Sequence, residues 1–112
     1  MNGTPDIVTG DSIVLAVTLK KNSAVFEIAS DAEVKVALVS TDHQTAYTEP
    51  IEQSSTTPGA DWDLSLVIVE LPPAATQEIT YQGLAIMEIQ VTEGTENKTW
   101  FLPVKIITGQ IT

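Results

Sequence analysis

Apolar and polar residues alternate along most of this chain with a period of two. Ser12 to Lys20 places Ile13, Leu15, Val17 and Leu19 on one face, the pattern of a half-buried strand. Glu33 to Thr41 repeats it with Val34, Val36 and Leu38. Turn-forming residues punctuate these segments at Gly10-Asp11, Lys21-Asn22-Ser23, Ser30-Asp31 and Asp42-His43-Gln44. The same reading predicts a short edge strand at Ile7-Val8 and a brief return strand over Val25 to Ile28. Ala46 to Ser54 is a poorer strand that Pro50 confines to a sheet edge. Ser55 to Asp61 is polar and carries Pro58-Gly59, a turn signal. Asp63 to Leu71 is the most apolar strand, and Pro72-Pro73 ends it. Ala74 to Glu78 is the one helical turn expected. Leu84 to Glu93 and Lys98 to Ile107 form a hairpin around Gly94-Thr95-Glu96-Asn97.

Seven or eight short strands, with turns about every ten residues, predict an all-β fold. The expected architecture is an antiparallel β-sandwich, immunoglobulin-like or jelly-roll. It occupies residues 1–112 as a single domain with short extended arms at Met1 to Gly10 and Thr108 to Thr112. Leu15, Val17, Val36, Leu38, Leu66, Ile68, Ile89 and Val91 form the expected core. Two strands are apolar on both faces. Leu64, Leu66 and Ile68 oppose Val67, Val69 and Leu71, while Trp100, Leu102, Val104 and Ile106 oppose Phe101 and Ile107. One apolar face per strand suffices for a two-layer sandwich whose other faces meet water. The surplus points to partners or sister subunits covering an outer face, or to small apolar residues tolerated outside central strands.

Charge narrows the partners. Fifteen Asp and Glu stand against five Lys, a formal charge of −10. Lys20, Lys21, Lys35, Lys98 and Lys105 are the only cations, too few to neutralise a phosphate backbone, so no nucleic-acid partner is expected. Cysteine is absent, which removes disulfides and thiolate metal sites. No apolar run approaches the ~18 residues of a membrane span, and the start has neither a basic nor an apolar leader segment. These features predict synthesis in a cytoplasm and no membrane partner. The sequons at Asn2-Gly3-Thr4 and Asn97-Lys98-Thr99 read as chance.

Catalytic chemistry finds little support. His43 is the sole histidine and sits beside Asp42 in a polar turn, where a solvated, mobile side chain is expected in place of a held base. Asp61-Trp62-Asp63 offers two carboxylates, but calcium takes six to eight oxygens. Trp62 reads better as a seal at the core edge. Glu70 and Glu88 fall on central strands and could face one another as an acid pair; solvated faces are the plainer reading. No phosphate loop, dinucleotide fingerprint or metal-spaced histidine pair occurs. The chain is therefore expected to be no enzyme, with no cofactor and no metal. Aromatic residues are enriched at interfaces, which makes Trp62, Trp100, Tyr47 and Tyr81 the best anchors, with a place in the core as the plainer reading of both tryptophans. The expected protein interface comprises Ile7, Val8, Trp62, Trp100, Ile107 and Ile111.

Gly10-Asp11-Ser12-Ile13-Val14-Leu15-Ala16-Val17-Thr18-Leu19-Lys20-Lys21-Asn22, followed by Val25-Phe26-Glu27-Ile28 and Ala32-Glu33-Val34-Lys35-Val36-Ala37-Leu38-Val39, resembles small β-sandwich domains of phage virions. One such set is the amino-terminal domain of baseplate upper proteins. Another is the capsid decoration or cement proteins of short-tailed phages, and in size the chain looks most like the staple protein of epsilon-fifteen-type phages. The likeness covers residues 6–41, and the rest agrees only in rhythm. It implies a multi-copy, non-enzymatic virion structural protein on the capsid surface. The implied partner is the major capsid protein or another virion protein, with homodimers or many copies on a shell. A baseplate or tail-fibre attachment domain, or a carbohydrate-binding or adhesion module, is the alternative.

Overall fold

The computed structural model describes residues 4–21, 24–25, 27–29 and 31–108. It shows an all-β sandwich in which seven strands form two sheets. The larger sheet has five strands in the order β1 (Asp6–Val8), β9 (Glu96–Ile107), β8 (Gly83–Glu93), β5 (Glu33–Val39) and β6 (Ile51–Gln53). The smaller pairs β2 (Ile13–Thr18) with β7 (Leu66–Leu71). A minimal hairpin of β3 (Lys20–Lys21) and β4 (Ala24–Val25) follows β2.

Most predicted strands are present near their expected bounds, but the strand expected over 46–54 is reduced to Ile51–Gln53 and the return strand expected over 25–28 to Ala24–Val25. Three further differences concern pairing and the strand and helix starts. The first strand pairs with the last in parallel, Ile7 beside Ile106, so the sandwich is not antiparallel throughout. Residues 6–8 are accordingly part of the main sheet, not an arm. The strand expected from Asp63 begins only at Leu66, because Trp62–Leu64 form a 3-10 turn that Ser65 ends in a left-handed conformation, φ 62°. The helical turn expected over 74–78 runs from Pro73 to Thr76 as α1, with proline at its first position, where no amide partner is lost.

The core lies between the sheets. The larger sheet contributes Ile7, Val34, Val36, Leu38, Met87, Ile89, Val91, Val104 and Ile106; the smaller contributes Ile13, Val67, Val69 and Leu71. Val36, Leu38, Ile89 and Val91 are buried as expected, and Leu15 and Val17 are half-buried on the expected face. In β7 the faces are reversed: Val67, Val69 and Leu71 point inward, and Leu66 and Ile68 point outward. Ile68 is nonetheless buried, as expected, because the 55–60 loop shields it on that side and Gly59 lies against it. Glu70 shares the parity of Leu66 and Ile68, and a carboxylate marks the wet face.

Buried polar side chains close the gaps that the ladders leave. Gln53 at the end of β6 uses its side-chain amide as a substitute peptide. It accepts from Glu70 N–H at 2.7 Å and donates to Glu70 C=O at 3.3 Å, tying the free edge of β7 to the edge of the larger sheet. Pro50 stops β6 short of the full ladder, and Thr48 Oγ1 there accepts from Leu38 N–H at 3.0 Å. Thr76 Oγ1 accepts from Gly10 N–H at 2.9 Å, anchoring α1 to the turn after β1.

Candidate protein-binding face

The long hairpin β8–β9 positions an exposed apolar surface. A two-residue turn at Gly94-Thr95 closes it, with Gly94 at φ 62°, a conformation glycine adopts without strain. Its register sets Ile86 opposite Pro103, Glu88 opposite Phe101 and Leu84 opposite Lys105. Alternation turns these residues away from the core, because Ala85, Met87 and Val104 face it. Leu84 is 59% and Phe101 54% exposed. Val8 beside Ile107 extends the surface towards β1, and Ala37 and Ile86 extend it towards β5, all half-buried.

Neighbouring turns fix this face. Tyr81 stacks on Tyr47, ring centres 4.9 Å apart, and donates its hydroxyl to Leu84 C=O at 2.7 Å. Gly83 makes room for that ring, since a Cβ there would lie 3.0 Å from the Tyr81 hydroxyl. On the far side, Ser40 Oγ donates to Asp42 Oδ1 at 2.6 Å, and Gln44 N–H donates to the same oxygen at 3.0 Å. These bonds, the Ser40 hydroxyl first, hold the Asp42 carboxyl below the usual carboxylate range. The turn they build puts His43 at φ 63° and its ring edge-on to Phe101, centroids 4.7 Å apart. The side chain expected to be free in solvent is exposed but packed against the apolar face.

The six residues expected at an interface are scattered. Val8 and Ile107 lie on this outer face. Ile7 and Trp62 are interior, 0% and 6% exposed. Trp100 faces the core side of β9 opposite Ile89, half-buried, and its indole N–H donates to Lys20 C=O at 2.9 Å. Ile111 lies outside the described residues. Leu84, Ile86, Phe101 and Pro103 are all missing from the expected set, although the parity of Lys105, Pro103 and Phe101 marks the wet side of β9 and β8 follows from the hairpin register.

The acid pair considered for Glu70 and Glu88 does not form. Glu70 and Glu88 point outward from opposite sheets, so they cannot act together across one substrate. Among the described residues no three His, Asp or Glu side chains converge as a metal site. An open groove of about 420 Å³ runs between β2 and β6 and is lined by Val14, Glu52, Thr57, Glu70 and Pro72. Within the described residues no helix is long and apolar enough to cross a membrane. The chain matches no protein-family model and no curated protein.

Proposed function

We propose that the protein is a non-enzymatic virion structural component, a capsid decoration protein of the cement or staple kind. It binds and stabilises the major capsid protein shell through the outer face of the five-stranded sheet. The observation that carries this reading is an apolar face centred on Leu84, Ile86, Phe101 and Pro103 in a chain of formal charge −10. Water covers such a surface at a cost of about 25 cal/mol per Å² of apolar area, whereas a partner removes it. The negative charge keeps free copies apart and favours a partner presenting lysine or arginine around the contact. On this reading the protein is made in the host cytoplasm and resides on the capsid surface.

The adhesion alternative draws less support. A glycan platform requires coplanar rings open to solvent. Here Tyr47 and Tyr81 stack on each other, Trp62 is interior, and Phe101 is flanked edge-on by His43.

The test is occupancy on purified shells that lack the protein. Leu84→Glu and Phe101→Asp should fold normally, since both sites are exposed, and should lower affinity by at least tenfold. Binding should weaken as salt rises. Full occupancy by both variants would remove this face from the contact. Failure of the unaltered protein to bind any shell, together with retention on glycan surfaces, would favour the adhesion reading.

A further inference from the structure

Among the described residues the smaller sheet has two strands, and none pairs with the outer edge of β2. Glu70 and Leu66 direct their main-chain groups away from β2, to Gln53 and to Asp61 respectively. By antiparallel alternation their cross-strand mates Val14 and Thr18, and Ala16 between them, direct theirs away from β7. None of the three has a main-chain partner on that side among the described residues. The other edges are blunted: β1 has three residues and carries Asp6, while β6 has three, follows Pro50, carries Glu52 and is clamped by Gln53. Edges of that kind resist pairing. β2 has six residues, with no charge, proline or glycine. Its inward side is incompletely covered as well. Leu15 and Val17 are only partly buried, although Val69 and Val67 opposite them are fully buried. Trp100 and Leu102 on the core side of β9 are likewise only partly buried.

We infer that β2 is a self-pairing edge, which joins a second copy of this chain by antiparallel β2–β2 addition centred on Ala16. In that register Ala16 meets its own mate and Val14 meets Thr18 of the other copy, each pair exchanging both main-chain bonds. The choice of a second copy rests on symmetry of charge and shape. The segment is neutral in a strongly acidic chain, so the seam carries no repulsion of its own. Centring on Ala16 also places Lys20 of each copy at the register position of Ser12 of the other, next to Asp11, so opposite charges meet at both ends. Small Ala16 allows close approach at the two-fold axis, and Val14 beside Thr18 is a β-branched cross-strand pair. The added strand would extend the smaller sheet from two strands to four and shield Leu15 and Val17. This surface is distinct from the outer face proposed to meet the shell, so the two proposals stand or fall separately.

The chain has no cysteine, which makes single-cysteine variants clean reporters. Under mild oxidation Ala16→Cys should give a disulfide-linked dimer, since the two Cα atoms of such a pair lie about 5.5 Å apart. Val14→Cys should stay uncrosslinked, because its two copies would sit four residues, about 13 Å, apart along the seam. Sedimentation of the unmodified chain should show a concentration-dependent dimer. Val14→Lys combined with Thr18→Lys should abolish it, and Val14→Lys combined with Thr18→Glu should restore it. Phe101→Asp should leave the dimer intact, which separates this result from loss of shell binding. An unmodified chain that stays monomeric at high concentration would overturn the inference and leave the edge to a strand from another protein. A dimer that survives the double-lysine change, or equal crosslinking by both cysteine variants, would overturn it too.

Discussion

Ser65 combines a left-handed backbone with a buried side chain. Its φ of 62° is left-handed, its side chain is fully buried, and its hydroxyl has no partner. A non-glycine residue in this region costs about 1–2 kcal/mol, and an unpaired buried polar group about 1–3 kcal/mol. Ser65→Gly removes both and adds back roughly 0.5–1 kcal/mol of chain entropy. Denaturant unfolding should therefore show Ser65→Gly more stable than the parent by about 1 kcal/mol or more, with Ser65→Ala gaining less because it keeps the strained backbone. Asp42 gives the pH-dependent counterpart. Its carboxyl is held below its ordinary value in the folded chain, first by the Ser40 hydroxyl and then by the Gln44 N–H. A depressed folded value stabilises above the unfolded value and loses that contribution as pH falls through the folded one. In Asp42→Asn, stability measured from about pH 5 down to about pH 2 should fall less steeply than in the parent. Parallel acid limbs would show that the turn bonds are not kept in solution. The tripeptide around Asp42 was legible as a turn, but the grip of His43 on Phe101 was not, because it joins residues far apart in sequence.

Among the elements, β7 separates what local pattern decides from what tertiary structure decides. That Leu66 to Leu71 would be a strand followed from composition. Which parity faces inward did not follow, because both are apolar, and only Glu70 distinguishes them. A one-residue shift exchanges the two faces of a strand, so the expected core positions Leu66 and Ile68 fell on the outer side. The opposite held for β5, where Glu33 and Lys35 alternate with Val34 and Val36 and leave one choice. Leu71→Ala should therefore cost about 2–5 kcal/mol in chemical unfolding, and Leu66→Ala clearly less, since Leu66 is partly exposed. A larger cost at Leu66 than at Leu71 would mean that the smaller sheet sits with its other face inward. The Gln53 clamp on β7 was illegible for a related reason. A polar residue at the end of a weak strand looks solvated until the second sheet brings Glu70 to it.

For the whole molecule, charge and edges act in opposite directions. Fifteen acidic side chains face five lysines. Among the described residues two ion pairs are seen, Lys35 with Glu33 and Lys98 with Glu96; both are long at 3.9 Å, and all but Lys98 of these side chains are well exposed. Pairs of that kind contribute about 0–1 kcal/mol, so most of the repulsion is uncompensated and opposes the compact state. Raising ionic strength from about 0.01 M to about 0.1 M shortens the reach of these charges from ~30 Å to ~10 Å. The melting temperature should rise by a few degrees over that range, to a similar extent in sodium chloride and potassium chloride, as screening requires. Pairing through the neutral β2 edge should strengthen over the same range, because screening relieves repulsion between two acidic bodies. Attachment to a basic shell surface should weaken, because the same screening removes attraction. A single salt series read by melting, by sedimentation and by shell occupancy therefore assigns each contact its electrostatic sign. A melting temperature that falls as salt is added would mean that favourable pairings outweigh the net charge, and would remove the repulsive premise from all three expectations.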